Sequence, residues 1–153
     1  MPQLHKYVNG SLLPQVEAQL ETVALEAFLA GDTTGAVRLA IPSDADVRPL
    51  AGRLDDVAAI TLEFPAFKDG RAYTQARLLR ERLGFRGEIR ATGDVLRDQI
   101  LFMVRCGVDA FELADDADVD GFAEALEEFS VFYQSAADDA TPIARLRATR
   151  AAA

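Results

Sequence analysis

Charged residues recur at alternate positions of four strand-like segments, and their spacing could place them together for chemistry. Arg38, Glu63, Arg90 and Glu112 each alternate with apolar neighbours. Because successive side chains of a strand point to opposite faces, one face of the sheet would be apolar and the other would carry these charges. The sequence leaves two interpretations open for that face: an ion-pair lattice or a ligand site.

A second polar group lies in the segment KDGRAYTQARLLR, directly after the second strand-like segment. Asp69 and Gly70 supply a turn, and Tyr73 and Arg77 then share one helical face with Arg80. Arginine forks, a tyrosine hydroxyl and the N–H groups at a helix start can hold a carboxylate, sulfate or phosphate. The alternative is a solvated helix face with ion pairs between neighbouring turns.

These two groups predict an anion site near the carboxyl ends of the second and third strands. Arg90 would be a central cation that Glu63 orients, and the turn at Asp94 would add a second helix start. The predicted binding residues are Glu63, Asp69, Arg71, Tyr73, Arg77, Arg90, Asp94 and Glu112.

Few side chains are suited to covalent or redox catalysis. Cys106 is the one cysteine and His5 the one histidine. This excludes an internal disulfide, a zinc site of several cysteines and an iron–sulfur cluster held by this chain alone. Neither GxGxxG nor GxxxxGK[ST] occurs, so no dinucleotide or phosphate loop is indicated. We predict no cofactor and no metal site, the catalytic residues stay unknown, and Cys106 is expected to be a buried, unreactive thiol.

Strand-like and helix-like segments alternate along the chain and predict an α/β fold. Strands are expected at 37–41, 59–64, 88–92 and 110–113, and helices at 44–54, 71–83, 95–106 and 118–132. Val16, Leu20, Val23 and Ala27 predict a further helix over 13–30. The predicted fold is four successive βα units forming a parallel sheet that resembles half a (β/α) barrel, with an extra N-terminal helix. One domain, 1–153, would comprise an N-terminal helical segment 1–36, the βα units 37–133 and a fraying C-terminal tail 134–153.

Composition and charge narrow the class of partner. The net charge of −9 argues against nucleic acid as a ligand, and no apolar run is long enough to predict a membrane span. The first residues lack the pattern of a secretory signal, so we expect a cytoplasmic protein. The helix at 95–106 is apolar over most of its circumference, which predicts burial on two sides and favours a homodimer.

Residues 62–113, LEFPAFKDGRAYTQARLLRERLGFRGEIRATGDVLRDQILFMVRCGVDAFEL, resemble the bacterial domain-of-unknown-function family 934. The resemblance implies a role in assimilatory sulfate and sulfite reduction, and hence in cysteine biosynthesis. Sulfite reductase and adenylyl-sulfate reductase are the partners it implies. We expect an accessory protein that binds a partner enzyme or a small oxyanion. The alternative is a small oxidoreductase of sulfite reduction that uses the polar strand-end face.

Overall fold

The computed structural model describes residues 1–31, 33 and 35–151, and within them the chain forms one seven-stranded sheet in the order β2-β1-β7-β6-β5-β4-β3. β3 to β7 are parallel, whereas β1 pairs antiparallel with β7 and β2 pairs antiparallel with β1. The sheet is therefore mixed. The strands are β1 Gln3–Val8, β2 Ser11–Pro14, β3 Glu21–Ala24, β4 Val37–Ile41, β5 Val57–Phe64, β6 Glu88–Gly93 and β7 Ala110–Leu113.

The helices are short and most of them connect parallel strands. They are α1 Leu25–Ala30, α2 Arg71–Arg77, α3 Ile100–Arg105, α4 Val119–Glu127 and α5 Ile143–Ala151. A π-helical turn over Leu78–Arg82 continues α2, and 3₁₀ turns occur at Arg48–Leu50 and Arg97–Gln99. The helix after β4 is thus reduced to a single turn.

The core lies on one face of the sheet, called here the apolar face. Leu39, Leu62 and Ile89, on β4, β5 and β6, are fully buried in one cluster with Leu79 and Met103 from the helical layer. Full burial of such a side chain contributes about 1.5–3 kcal/mol relative to leaving it exposed. Strand alternation directs the other side chains of the same strands to the opposite face, called here the polar face.

The α/β class agrees with the sequence prediction, but the half-barrel arrangement and the N-terminal helix are not confirmed. The sheet extends beyond the four predicted strands, with β3 beyond β4 and the antiparallel β1 and β2 beyond β7. The predicted segments 1–36 and 134–153 include residues 32, 34, 152 and 153, which lie outside the described residues.

Most of the helix predicted over 13–30 is strand or irregular chain. Only Leu25–Ala30 is helical, whereas Glu21–Ala24 pairs in parallel with β4 as an edge strand. The helical stripe would have required a buried Val16, but this residue is 89% exposed. Pairing with β4 satisfies backbone hydrogen bonds of Glu21–Ala24 and buries Val23. These tertiary contacts outweigh the weak helical periodicity of the segment.

The helix predicted over 44–54 is absent except for the turn Arg48–Leu50. Pro49 lacks an N–H group, and Gly52 has a positive φ of 70°, which ends regular helix. The buried side chain of Gln75 also donates from Nε2 to the carbonyl oxygens of Pro42 (2.8 Å) and Ala45 (2.9 Å). This side chain therefore holds the loop after β4 in a non-helical path.

Candidate functional site

Arg90 is the central residue of the polar face. It lies on β6 in register with Thr61 and Ala110 on the two neighbouring strands, and its side chain is 2% exposed. Its guanidinium donates to Glu17 (2.8 Å), Glu88 (2.9 Å) and Glu112 (3.2 Å). The small Ala110 on the adjacent strand leaves room for the large side chain.

The electrostatics of this cluster favour its charged forms. Burial alone would lower the pKa of Arg90, but hydrogen bonds with Glu17 and Glu88 outweigh burial and raise it. Burial likewise acts to raise the pKa of Glu88, but hydrogen bonds from Gln15 and Arg90, with the charges of Arg90 and Lys6, lower it. Arg90 and Glu88 are therefore a charged pair.

Residues 15–20, called here the strap, connect β2 to β3 and cross the polar face. β2 and β3 lie at opposite edges of the sheet, and Glu17 of the strap pairs with both Arg38 and Arg90. Six strand spacings in a flat sheet would span about 29 Å. The seven Cα steps from Pro14 to Glu21 reach at most about 25 Å. The sheet must therefore curve, and the polar face is concave toward the strap.

A second polar cluster lies at the carboxyl ends of β4 and β5. Asp69 accepts hydrogen bonds from Arg71 Nη2 (2.6 Å) and Arg71 Nε (3.0 Å), and from the hydroxyl of the buried Ser43 (2.9 Å). The hydrogen bonds from Arg71, followed by that from Ser43, hold the pKa of Asp69 well below its usual range. Arg71 is thus engaged with an internal carboxylate.

The remaining predicted residues lie apart from these two clusters. The Tyr73 ring packs against Phe64 (centroids 5.1 Å apart) and Phe102 (4.7 Å), and its buried hydroxyl has no hydrogen-bond partner among the described residues. Burial, followed by the charges of Cys106 and Asp98, raises the pKa of Tyr73 to about 12. Tyr73 is a core aromatic residue in this structure.

Arg77 pairs with Glu81 one turn later at 3.2 Å, while Glu63 and Asp94 are exposed. The structure therefore brings together Arg90 with Glu112, and Asp69 with Arg71. Within the described residues, no hydrogen bond or ion pair joins the first pair to the second. The eight predicted residues do not form one cluster.

An exposed aromatic surface lies between α3 and α4. Phe102 is 58% exposed and Phe129 is 57% exposed, and both line a cavity of about 270 Å³ with Phe132. The charged residues around this cavity are Arg97, Asp98, Arg105 and Glu128. We call this cavity and its lining residues the α3–α4 surface. The sequence indicated a second apolar side of α3, but the contribution of Phe129, just after α4, was missed.

Two arginines of the α3–α4 surface are already paired within the chain. Arg97 Nη2 lies 3.3 Å from Glu124, and Arg105 Nη1 lies 2.6 Å from Asp138. The guanidinium carbon of Arg105 also lies 4.1 Å from the centroid of Phe132. The exposed carboxylates of Asp98 and Glu128 therefore make the outer rim acidic.

Cys106 lies at the carboxyl end of α3. Its side chain is buried, and burial raises the pKa of the thiol to about 11. A thiol with this pKa is almost entirely protonated near neutral pH, and nucleophilic chemistry requires the thiolate. This agrees with the sequence prediction of an unreactive thiol.

Two kinds of feature are absent from the described residues: a metal-ligand group and a membrane-spanning helix. No three of their His, Cys, Asp and Glu side chains are grouped so that they could hold a metal ion. None of the helices described is long and apolar enough to cross a bilayer.

The fold and surfaces define a small mixed α/β protein with a charged, strap-crossed sheet face and an exposed aromatic surface. A family model described as "Bacterial protein of unknown function (DUF934)" matches residues 38–144. The chain therefore belongs to this family, whose model covers the sheet from β4 to β7 and most of the helical layer. No curated protein and no solved structure matches the chain significantly.

Proposed function

We propose that this protein is an accessory protein of assimilatory sulfite reduction that binds a partner enzyme through the α3–α4 surface. The observation that carries the proposal is the pair of exposed rings, Phe102 and Phe129, that line one cavity. A contiguous apolar patch with a polar rim is typical of a protein interaction site. Aromatic residues are also enriched among the side chains that dominate binding energy at interfaces.

The charges of this surface indicate the chemistry of the partner. Because Arg97 and Arg105 are paired with internal carboxylates, an incoming protein meets mainly Asp98 and Glu128. Opposite charges across an interface increase the association rate and favour one orientation. The partner surface should therefore present an apolar side chain that enters the cavity, flanked by lysine or arginine.

The sulfite-reduction context comes from the family resemblance and names the enzymes to test. Sulfite reductase is the first candidate partner and adenylyl-sulfate reductase the second. The alternative, a small oxidoreductase working at the polar face, receives less support because the donors of Arg90 are occupied by three carboxylates. A flavin or haem absorbance from the purified protein would instead favour the oxidoreductase.

Calorimetric titration of each enzyme into the wild-type protein and into Phe129→Ser tests the proposal. Loss of a central aromatic contact costs about 2 kcal/mol, so we expect affinity to fall about thirtyfold. Tyr133→Ser is the matched control, since Tyr133 is 88% exposed and does not line the cavity. Melting curves of all three proteins establish that each is folded.

Two results would contradict the proposal. One is the absence of binding between the wild-type protein and either enzyme. The other is equal affinity of wild type and Phe129→Ser. Analytical ultracentrifugation identifies a third outcome, in which the wild type is a homodimer that Phe129→Ser dissociates. The α3–α4 surface would then be occupied by a second copy of the chain rather than by an enzyme.

A further inference from the structure

Two buried arginines on the polar face share one carboxylate that belongs to the strap. Arg38 on β4 is 7% exposed and Arg90 on β6 is 2% exposed. Glu17 pairs with Arg38 and accepts from Arg90 Nη1 at 3.0 and 2.8 Å through its two oxygens. Two guanidinium groups directed at one carboxylate form the arrangement that recognises a bound oxyanion.

We propose that Arg38 and Arg90 form an oxyanion-binding subsite, which Glu17 occupies in the free protein and leaves when a small carboxylate binds. The inference concerns the polar face alone and does not depend on the partner enzyme or on the α3–α4 surface. The ligand class is a singly charged carboxylate, because the carboxylate of Glu17 stands in its place.

Arg38 depends on Glu17 more than Arg90 does. Among the described residues, Glu17 is the one carboxylate paired with Arg38, and the buried Nε atom of Arg38 has no hydrogen-bond partner. Arg90, by contrast, keeps Glu88 and Glu112 when Glu17 leaves. A buried cation requires compensation, so departure of Glu17 leaves Arg38 ready to accept another oxyanion.

Glu17 can leave without disturbing the core. Its side chain is 52% exposed, and the strap contains neither helix nor strand. Val16, the preceding residue, is 89% exposed and so does not anchor the strap by apolar packing. Rotation of the Glu17 side chain into water therefore breaks two ion pairs and opens no apolar cavity.

The charge balance of the ion-pair network, to which the exposed Glu63 does not belong, favours a singly charged ligand. Without Glu17, the three cations of the network, Arg38, Arg90 and Lys6, face the two carboxylates of Glu88 and Glu112. Three positive and two negative charges leave one positive charge. A carboxylate restores neutrality, whereas a doubly charged sulfate adds excess negative charge beside Glu88 and Glu112.

Melting temperatures measured in sodium acetate, sodium sulfate and sodium chloride at equal ionic strength test the subsite. Wild-type protein, Glu17→Ala and Glu63→Ala are compared. Glu63→Ala is the control, because it removes an exposed carboxylate from the same face that, among the described residues, pairs with neither Arg38 nor Arg90. We expect acetate to stabilise Glu17→Ala with a half-maximal concentration at least about tenfold lower than in wild type, because Glu17 no longer competes. Glu63→Ala should resemble wild type, and Arg38→Gln added to Glu17→Ala should abolish the response.

Hydrogen exchange of the strap in wild-type protein provides the second measurement. We expect saturating acetate to accelerate amide exchange in residues 15–20, whereas chloride leaves it unchanged. The proposal is overturned if acetate stabilises Glu17→Ala no more than it stabilises Glu63→Ala, or if acetate does not change exchange in the strap. If sulfate stabilises Glu17→Ala more than acetate does, the singly charged ligand class is wrong. Glu17→Gln keeps the side-chain shape and replaces Glu17→Ala if the latter does not fold.

Discussion

Replacement of Arg90 by alanine should strongly destabilise the protein, because the residue is the shared cation of three carboxylates. Removing one partner of a buried ion pair costs about 3–5 kcal/mol. Glu88 is 10% exposed, whereas Glu112 is 32% and Glu17 is 52% exposed and both can regain water. We therefore expect the free energy of unfolding to fall by about 3–4 kcal/mol.

Urea denaturation at pH 7 measures this difference, and thermal unfolding should show a melting temperature lower by about 6–16 °C. Arg77→Ala is the control, since Arg77 forms an exposed pair with Glu81 in the next turn. Such a pair contributes less than about 0.5 kcal/mol. If Arg90→Ala is no more destabilising than Arg77→Ala, the argument that the polar face depends on its central cation is wrong.

The dependence on pH separates lost charge from lost packing. In wild type the pKa of Glu88 is below its ordinary value of 4.5, so its contribution to stability is present above that pH and is lost as the pH falls. In Arg90→Ala, the hydrogen bond and the charge of Arg90 no longer oppose the effect of burial. The pKa of Glu88 should therefore rise above its wild-type value. The stability difference between the two proteins should therefore narrow as the pH falls from 7 toward 4. A difference that stays constant would indicate lost packing instead.

Two further predictions concern the backbone and the thiol. Gly93→Ala should lower the free energy of unfolding, measured by urea denaturation, by about 2–3 kcal/mol. The reason is that φ of Gly93 is 89° and an added Cβ atom would lie 2.5 Å from the carbonyl oxygen of Phe64. Gly10→Ala, with φ of 88° and no atom of the described residues within 4 Å of the added Cβ, should cost less, and equal losses would contradict the clash. Cys106, whose pKa is raised to about 11, should react slowly with a thiol reagent at pH 8 and rapidly in urea. Rapid reaction of the folded protein would show that the thiol is accessible.

The parallel strands could be predicted from the sequence because their signal is local. Alternation of apolar and charged residues located β4 and β7 at their observed bounds and β5 and β6 within two residues of theirs. The same alternation assigned Arg90 and Glu112 to one face, and they are in contact. Strand periodicity thus specifies which side chains share a face, and it does so without knowledge of the strand order.

The N-terminal strands and the role of the strap could not be predicted in this way. β1 pairs with β7 more than a hundred positions away, and β3 is an edge strand of four residues. The partners of Glu17 depend on the path of the strap across the sheet, which no local pattern encodes. Tyr73 and Arg77 were assigned to one site from helical spacing, but spacing does not show that Phe64 and Phe102 surround the tyrosine ring.

Stability alone does not account for the composition of the polar face. Well-packed apolar side chains can replace a buried ion-pair cluster with no loss of stability, and often with a gain. If the network served stability alone, all of its carboxylates would be expected to lie on strands, as those of Glu88 and Glu112 do. The carboxylate that pairs with the charge of Arg38 instead belongs to Glu17, a half-exposed residue of the strap. Among the carboxylates paired with Arg90, Glu17 is thus the most exposed and the one that lies outside the strands, which is the position a ligand must reach in order to take its place.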